Sequence, residues 1–303
     1  MPNEPKNLDP VHKDYYETLP PITGEFEFGR YAEGSVPEVL LHQATRALVD
    51  YLISFSVDNR PSGSATLVVV DGQPGFLTAA HVIDDLIRSK SARVAVICAE
   101  HPHQLLLDKA HLVIRKYGPT EGDFPGPDLG FIYLNEPKSL SVLRAKKSFY
   151  PLRGDSDLVF SRIQPRGSAL CFIAGAPEEM CSEEGVRRTA SHVLGTKHFL
   201  GRAQVSDEFV IEGLDYLKLG TLAGEHGFPV NYGGVSGGGI WHIPLCVNPD
   251  VGLSSLTFSK PELIGVAFYQ SELSGRSRTI LGHGPKELYT LIVKQLGGAT
   301  ASR

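Results

Sequence analysis

Long apolar runs, an excess of basic charge and a dense cysteine framework are all missing from this sequence, and each absence removes a class of protein. No segment approaches membrane-spanning length, and Met1 to Thr18 is polar and charged, without the apolar centre of an export signal. A cytoplasmic protein with no membrane partner is expected. The formal net charge is −5 and the basic residues are scattered, so the electrostatic footprint of a nucleic-acid binder is lacking. Nucleic acid is not expected as a partner. Cys98, Cys171, Cys181 and Cys246 allow three pairings outside the cell, but without an export signal they are expected as reduced thiols. Metal ligands are sparse too. His101-Pro-His103 and the pair His242 and Cys246 each offer two ligands where zinc takes three or four, so no metal or cofactor is expected.

Helical periodicity is also scarce, while the chain carries 32 glycines and 21 prolines. Many short strands joined by turns are the result, and 303 residues suit two packed lobes better than one small core. With 42% hydrophobic and 21% charged residues the chain is an ordinary globular one. Residues 1–34 hold five prolines among charges and read as an extended arm. Ser35, Pro37 and Glu38 open a helix over 35–52, with Val39, Leu40, Ala44, Ala47, Leu48, Tyr51 and Leu52 near helical spacing. Strands ISFSV, SATLVVV, FLTAAH, RVAVICAE, HLVIRKY and LGFIYL fill a first lobe over 53–150, with a turn at Asp71-Gly72. ALCFIAG, FVIEG, GGIWHIP and ELIGVAFYQ supply a second lobe over 151–303, closed by a helix after Gly284-Pro285. The segment from Glu184 to Leu200 reads equally as a short helix or a long excursion.

Three residues stand out chemically. Ser236 lies in YGGVSGGGI, where Gly233, Gly234, Gly237, Gly238 and Gly239 let successive backbone N–H groups aim at one point. Such donors are what an acyl-transfer nucleophile needs when charge develops on the carbonyl oxygen. His81 ends the predicted strand FLTAAH, and imidazole titrates near neutrality, as a general base must. Asp128 enters the apolar strand LGFIYL, where a carboxylate requires a partner such as an imidazole N–H. Alone, each has a plain structural explanation: a glycine turn, a strand-end histidine, a turn aspartate after Pro127.

Together, TAAHV, PDLGFIYL and GVSGGGIW resemble the chymotrypsin/trypsin-like serine protease family, in the chain order His, Asp, Ser. The resemblance spans roughly residues 53–297. It implies a mostly β fold of two antiparallel six-stranded β-barrels, with the N-terminal and C-terminal helices added, and a cleft between the barrels. It implies a peptide or protein substrate, an oxyanion hole from the N–H groups of Gly234 and Ser236, and substrate contacts by Val230, Phe268, Tyr269 and Gln270. Gln270 falls where many relatives carry glycine, narrowing the pocket mouth, and Val230 stands at the expected pocket base. A small or apolar residue before the cleaved bond is then preferred. Val235 replaces the aspartate that receives a new N-terminus in secreted zymogens, so the chain looks closer to intracellular or bacterial members. Control is then expected through ordering of loop 231–235, by an activating protein partner or the N-terminal arm.

Two alternatives compete. One is a non-catalytic peptide-binding module on the same barrels. The other is an α/β-hydrolase esterase, since Gly234 to Gly238 also fits G-x-S-x-G and Asp250 and His283 follow in that order. A nucleophile elbow needs a helix directly after the serine, and glycines with Trp241 and Pro244 stand there instead.

Overall fold

The computed structural model describes residues 38–98, 104–118, 127–152, 169–185, 192–225, 227–246, 257–258 and 260–293. The expected arm, His101, His103 and Asp250 lie outside the described residues. Helix α1 (Glu38–Val49) leads into β1 (Leu52–Val57), β2 (Arg60–Val70) and β3 (Gln73–Thr78), then helix α2 (Ala80–Arg88). After these come β4 (Arg93–Cys98), β5 (Gln104–Asp108), β6 (Leu112–Tyr117), β7 (Leu129–Leu134), helix α3 (Pro137–Arg144) and β8 (Tyr150–Leu152). They form one curled sheet in the order β5-β4-β1-β2-β3-β7-β6, with β8 running parallel beside β2. Among the described residues its outer strands β5 and β6 do not pair, so this first lobe is a half-barrel.

The second half contributes β9 (Ala169–Gly175), β10 (Cys181–Gly185), β11 (His192–Thr196), β12 (Phe199–Ile211), β13 (Leu214–Leu222) and β14 (Gly239–Cys246). It ends with β15 (Thr257–Phe258), β16 (Glu262–Gln270), β17 (Ser277–His283) and α4 (Pro285–Glu287), which continues as a π-helical turn over Leu288–Ile292. The order β9-β14-β16-β17-β13-β12 returns to β9, closing a six-stranded antiparallel barrel. This is a mostly β fold of one closed six-stranded barrel and one half-barrel, with a helix at each end of the described chain. The undecided segment after Glu184 is partly a hairpin, β10 pairing with β11.

Local chemistry explains the turns. Asp71 and Gly72 both take positive φ, 47° and 78°, the type I′ geometry whose twist matches a two-residue hairpin between β2 and β3. FLTAAH is not one strand. β3 stops at Thr78, and Ala80, Val82, Ile83 and Leu86 bury one face of α2 at spacings of a helix. His81 therefore sits in the first turn of a helix, not at a strand end.

One of three core clusters joins the two halves: Leu48, Val68, Leu77 and Phe131 from the first pack with Phe172, Trp241, Val266 and Ile292 from the second. Trp241, the sole tryptophan, is fully buried, stacked on Tyr51 at 5.3 Å and edge-on to Tyr150 at 5.2 Å.

Candidate active site

Helix α2 begins with Ala79 at its N-cap, a residue with no side chain able to take the exposed N–H groups of the first turn. Asp128, just ahead of β7, fills that role from across the sheet. Its Oδ1 accepts the His81 backbone N–H at 2.9 Å, and its Oδ2 lies 2.5 Å from His81 Nδ1. One carboxylate thus fixes both the main chain and the ring of the same residue. With the proton held on Nδ1, Nε2 is left as the basic nitrogen.

The packed surroundings of His81 disfavour its charged form, yet the Asp128 charge and hydrogen bond outweigh them, and His81 titrates above the ordinary histidine range. Its side chain keeps 40% of its surface in solvent, against 18% for Asp128, so the ring has an open edge. For Asp128, desolvation would raise the carboxyl, but the His81 charge, ring N–H and backbone N–H overcome it and hold it below the usual range.

Ser236 lies on a loop whose carbonyls are nearly all engaged. Glu178 N–H donates to Gly233 O at 2.7 Å, Ser64 Oγ to Gly234 O at 2.7 Å, Gly238 N–H to Val235 O at 2.8 Å and Ser64 N–H to Ser236 O at 2.8 Å. Ser64 Oγ in turn accepts the Ala176 N–H at 2.8 Å, so one serine of β2 ties the loop to both lobes. While these carbonyls are taken up by Glu178, Ser64 and Gly238, the N–H groups of Gly234 and Ser236 have no acceptor among the described residues. They are available to an oxyanion.

Two glycines are required here. Gly234 has φ +89°, and a Cβ on it would lie 2.5 Å from Ala176 O. Gly237 has φ +86°, and its Cβ would lie 2.1 Å from Thr78 Oγ1 and 2.2 Å from Ser64 O. Gly237 is thus pressed against the end of β3, a few residues from His81.

The Ser236 hydroxyl donates to Phe268 O at 3.2 Å, and among the described residues it makes no hydrogen bond to His81. Phe268 reaches it because the ladder between β16 and β17 shifts register between Ala267 and Tyr269. Bulges of this kind re-aim residues beside functional sites. Val235 is buried in apolar contacts, with Gly175 directly against it. No charged group at that position awaits an N-terminus.

The remaining expected residues fall on two facing segments. Phe268, Tyr269 and Gln270 end β16, opposite loop 230–233. Gln270 spans the gap: its Oε1 accepts Tyr232 N–H at 2.8 Å and its Nε2 donates to Asn231 Oδ1 at 2.5 Å. Val230 does not floor a closed pocket. It is 47% exposed, while its N–H donates to Glu179 Oε1 at 2.7 Å and its carbonyl accepts from Arg278 Nε at 2.5 Å.

Several contributors escaped sequence reasoning. Glu179 holds the amides of Val230 and Asn231, and His283 accepts the Asp128 backbone N–H through Nε2 at 2.8 Å. Only Asn231 carried a local signal, since an asparagine two residues before a glycine forms the turn seen here, Gly233 N–H to Asn231 Oδ1 at 2.8 Å. The esterase arrangement is not built: Ser236 leads into strand β14, not a helix, and His283 Nε2 is committed to Asp128.

No protein-family model matches the sequence, and no curated protein matches it. Among solved structures it is similar to neuropsin, a serine protease of mouse brain, with 14% identity over 82% of this chain and 95% of that one, TM-score 0.43. It is similar to a serine endoprotease from Yersinia pestis, with 15% identity over 84% of this chain and 65% of that one, TM-score 0.43. Human heparin binding protein shares 14% identity over 85% of this chain and 94% of that one, TM-score 0.45.

Proposed function

We propose that the protein is a serine endopeptidase in which Ser236 attacks a peptide carbonyl, His81 takes its proton and Asp128 orients His81. The observation that carries this reading is the double hold of Asp128 on His81, which leaves Nε2 basic, close to a loop offering two unused N–H donors. The sequence of events follows from these parts. Ser236 turns from Phe268 O toward Nε2, adds to the carbonyl, and the Gly234 and Ser236 N–H groups hold the oxyanion. The imidazolium, stabilised by Asp128, then gives its proton to the leaving amine, and water resolves the acyl-enzyme. A peptide adding along β16 supplies the substrate class. Bridging of the gap by Gln270 supports a preference for small side chains before the cleaved bond. We also propose a cytoplasmic setting and control by a protein partner acting on loop 231–235.

A second reading, a latent or non-catalytic module, is favoured by one observation: the serine hydroxyl rests on Phe268. Fluorophosphonate labelling separates the two. The native chain is expected to label at Ser236, with Ser236→Ala and His81→Ala reducing labelling to background. Persistent failure of the native chain across pH and added peptides supports the module, and label on another serine removes the assignment.

A further inference from the structure

We infer that His283 is a positioning residue for Asp128 and Phe268, acting from the second barrel on the first; its catalytic meaning rests on the peptidase reading above. His283 closes β17, is fully buried, and pairs with Tyr216 on one side and Val266 on the other. The chain after it is pinned as well, since Asp215 takes the Gly284 N–H on its carbonyl at 2.8 Å and the Lys286 N–H on its carboxylate at 2.9 Å. The main chain that carries the ring is therefore fixed by two strand partners and by Asp215.

From that position it meets both ends of the candidate triad. Nε2 accepts the Asp128 N–H at 2.8 Å, across 155 residues of sequence. Its face stacks on Phe268 at 4.4 Å and 21°, and Phe268 presents the carbonyl that takes the Ser236 hydroxyl. Pro127 has no N–H, so the Asp128 amide is the first donor entering β7. An acceptor there fixes the peptide plane from which the carboxylate reaches His81. For this the imidazole must be neutral with its proton on Nδ1, because a protonated Nε2 is a donor facing a donor.

The test uses the full chain and two substitutions. His283→Phe keeps a ring against Phe268 and removes the acceptor, whereas His283→Gln keeps an acceptor in place of Nε2. Three signals are read: the far-downfield proton of His81 Nδ1–H bonded to Asp128, the rate of fluorophosphonate labelling at Ser236, and the melting temperature. His283→Phe is expected to lose or broaden the His81 proton and to slow labelling by about 10²-fold, the scale of a misplaced catalytic group. His283→Gln is expected to retain both signals close to native. Native-like signals in His283→Phe, or equal loss in both variants, overturn the inference. In the native protein the nitrogen shifts of His283 must show protonated Nδ1 and bare Nε2, and the reverse pattern overturns it whether or not the variants fold. A native chain that shows the His81 proton but never labels sinks the peptidase reading instead, and leaves the role of His283 readable from that proton.

Discussion

Asp128 does two jobs with one carboxylate, and their pH dependences run in opposite directions. Its own ionisation, held low by His81, contributes stability present above the unfolded carboxyl value and lost as pH falls through the folded one. His81, raised by Asp128, contributes stability present below the unfolded histidine value and lost as pH rises through the folded one. The pair therefore stabilises most while His81 is charged, whereas in the proposed mechanism His81 can act as base only once it is neutral. Activity is expected to rise with an acid-side midpoint above the ordinary histidine value of about 6.5. In Asp128→Asn that midpoint should move down and the plateau rate fall by about 10⁴-fold, the scale for this change in a Ser-His-Asp site. A pH profile of kcat/KM measures both. Gly237→Ala is a different kind of lesion. Its Cβ meets Thr78 Oγ1 and Ser64 O in a backbone with φ +86°, so a loss of roughly 1–3 kcal/mol or more is expected in denaturant unfolding, together with loss of labelling.

At the scale of elements, the loop carrying Ser236 is held by side chains from four other segments: Ser64 in β2, Glu179 after β9, Gln270 at the end of β16 and Arg278 in β17. Glu179→Ala frees two amides on an exposed stretch and leaves the buried core untouched. Labelling should slow about tenfold, with unfolding free energy changed by less than about 1 kcal/mol. Equal loss of stability and labelling would show instead that the loop is part of the core. Much of this layout was legible in the sequence. The strands RVAVICAE, LGFIYL, ALCFIAG and ELIGVAFYQ announce themselves by β-branched and aromatic residues, and the glycines around Ser236 announce a backbone donor site. LDYLKLGTL was hidden because Asp215 and Lys218 look like loop residues, although both are buried within β13. FLTAAH reads as one strand because it has no local stop signal, although the strand ends at Thr78 and a helix begins at Ala80. The helix start is supplied by Asp128, 47 residues away, which no local pattern encodes.

Across the whole molecule, the candidate site depends on two sheets remaining joined, since Asp128 and His81 belong to one and Ser236, Phe268 and His283 to the other. The shared core makes separate unfolding of the lobes unfavourable. Trp241→Ala removes its largest member and is expected to cost about 3–5 kcal/mol, lowering the midpoint of one cooperative transition in thermal circular dichroism. Two resolved transitions would argue against a common core. The same indole has an optical consequence. Tyr51 and Tyr150, contributed by the N-terminal half, lie close enough to pass absorbed light to the only indole in the chain. Transfer from these two phenols ends when the lobes part. The molecule carries its own fluorescent gauge of whether the two halves are packed together.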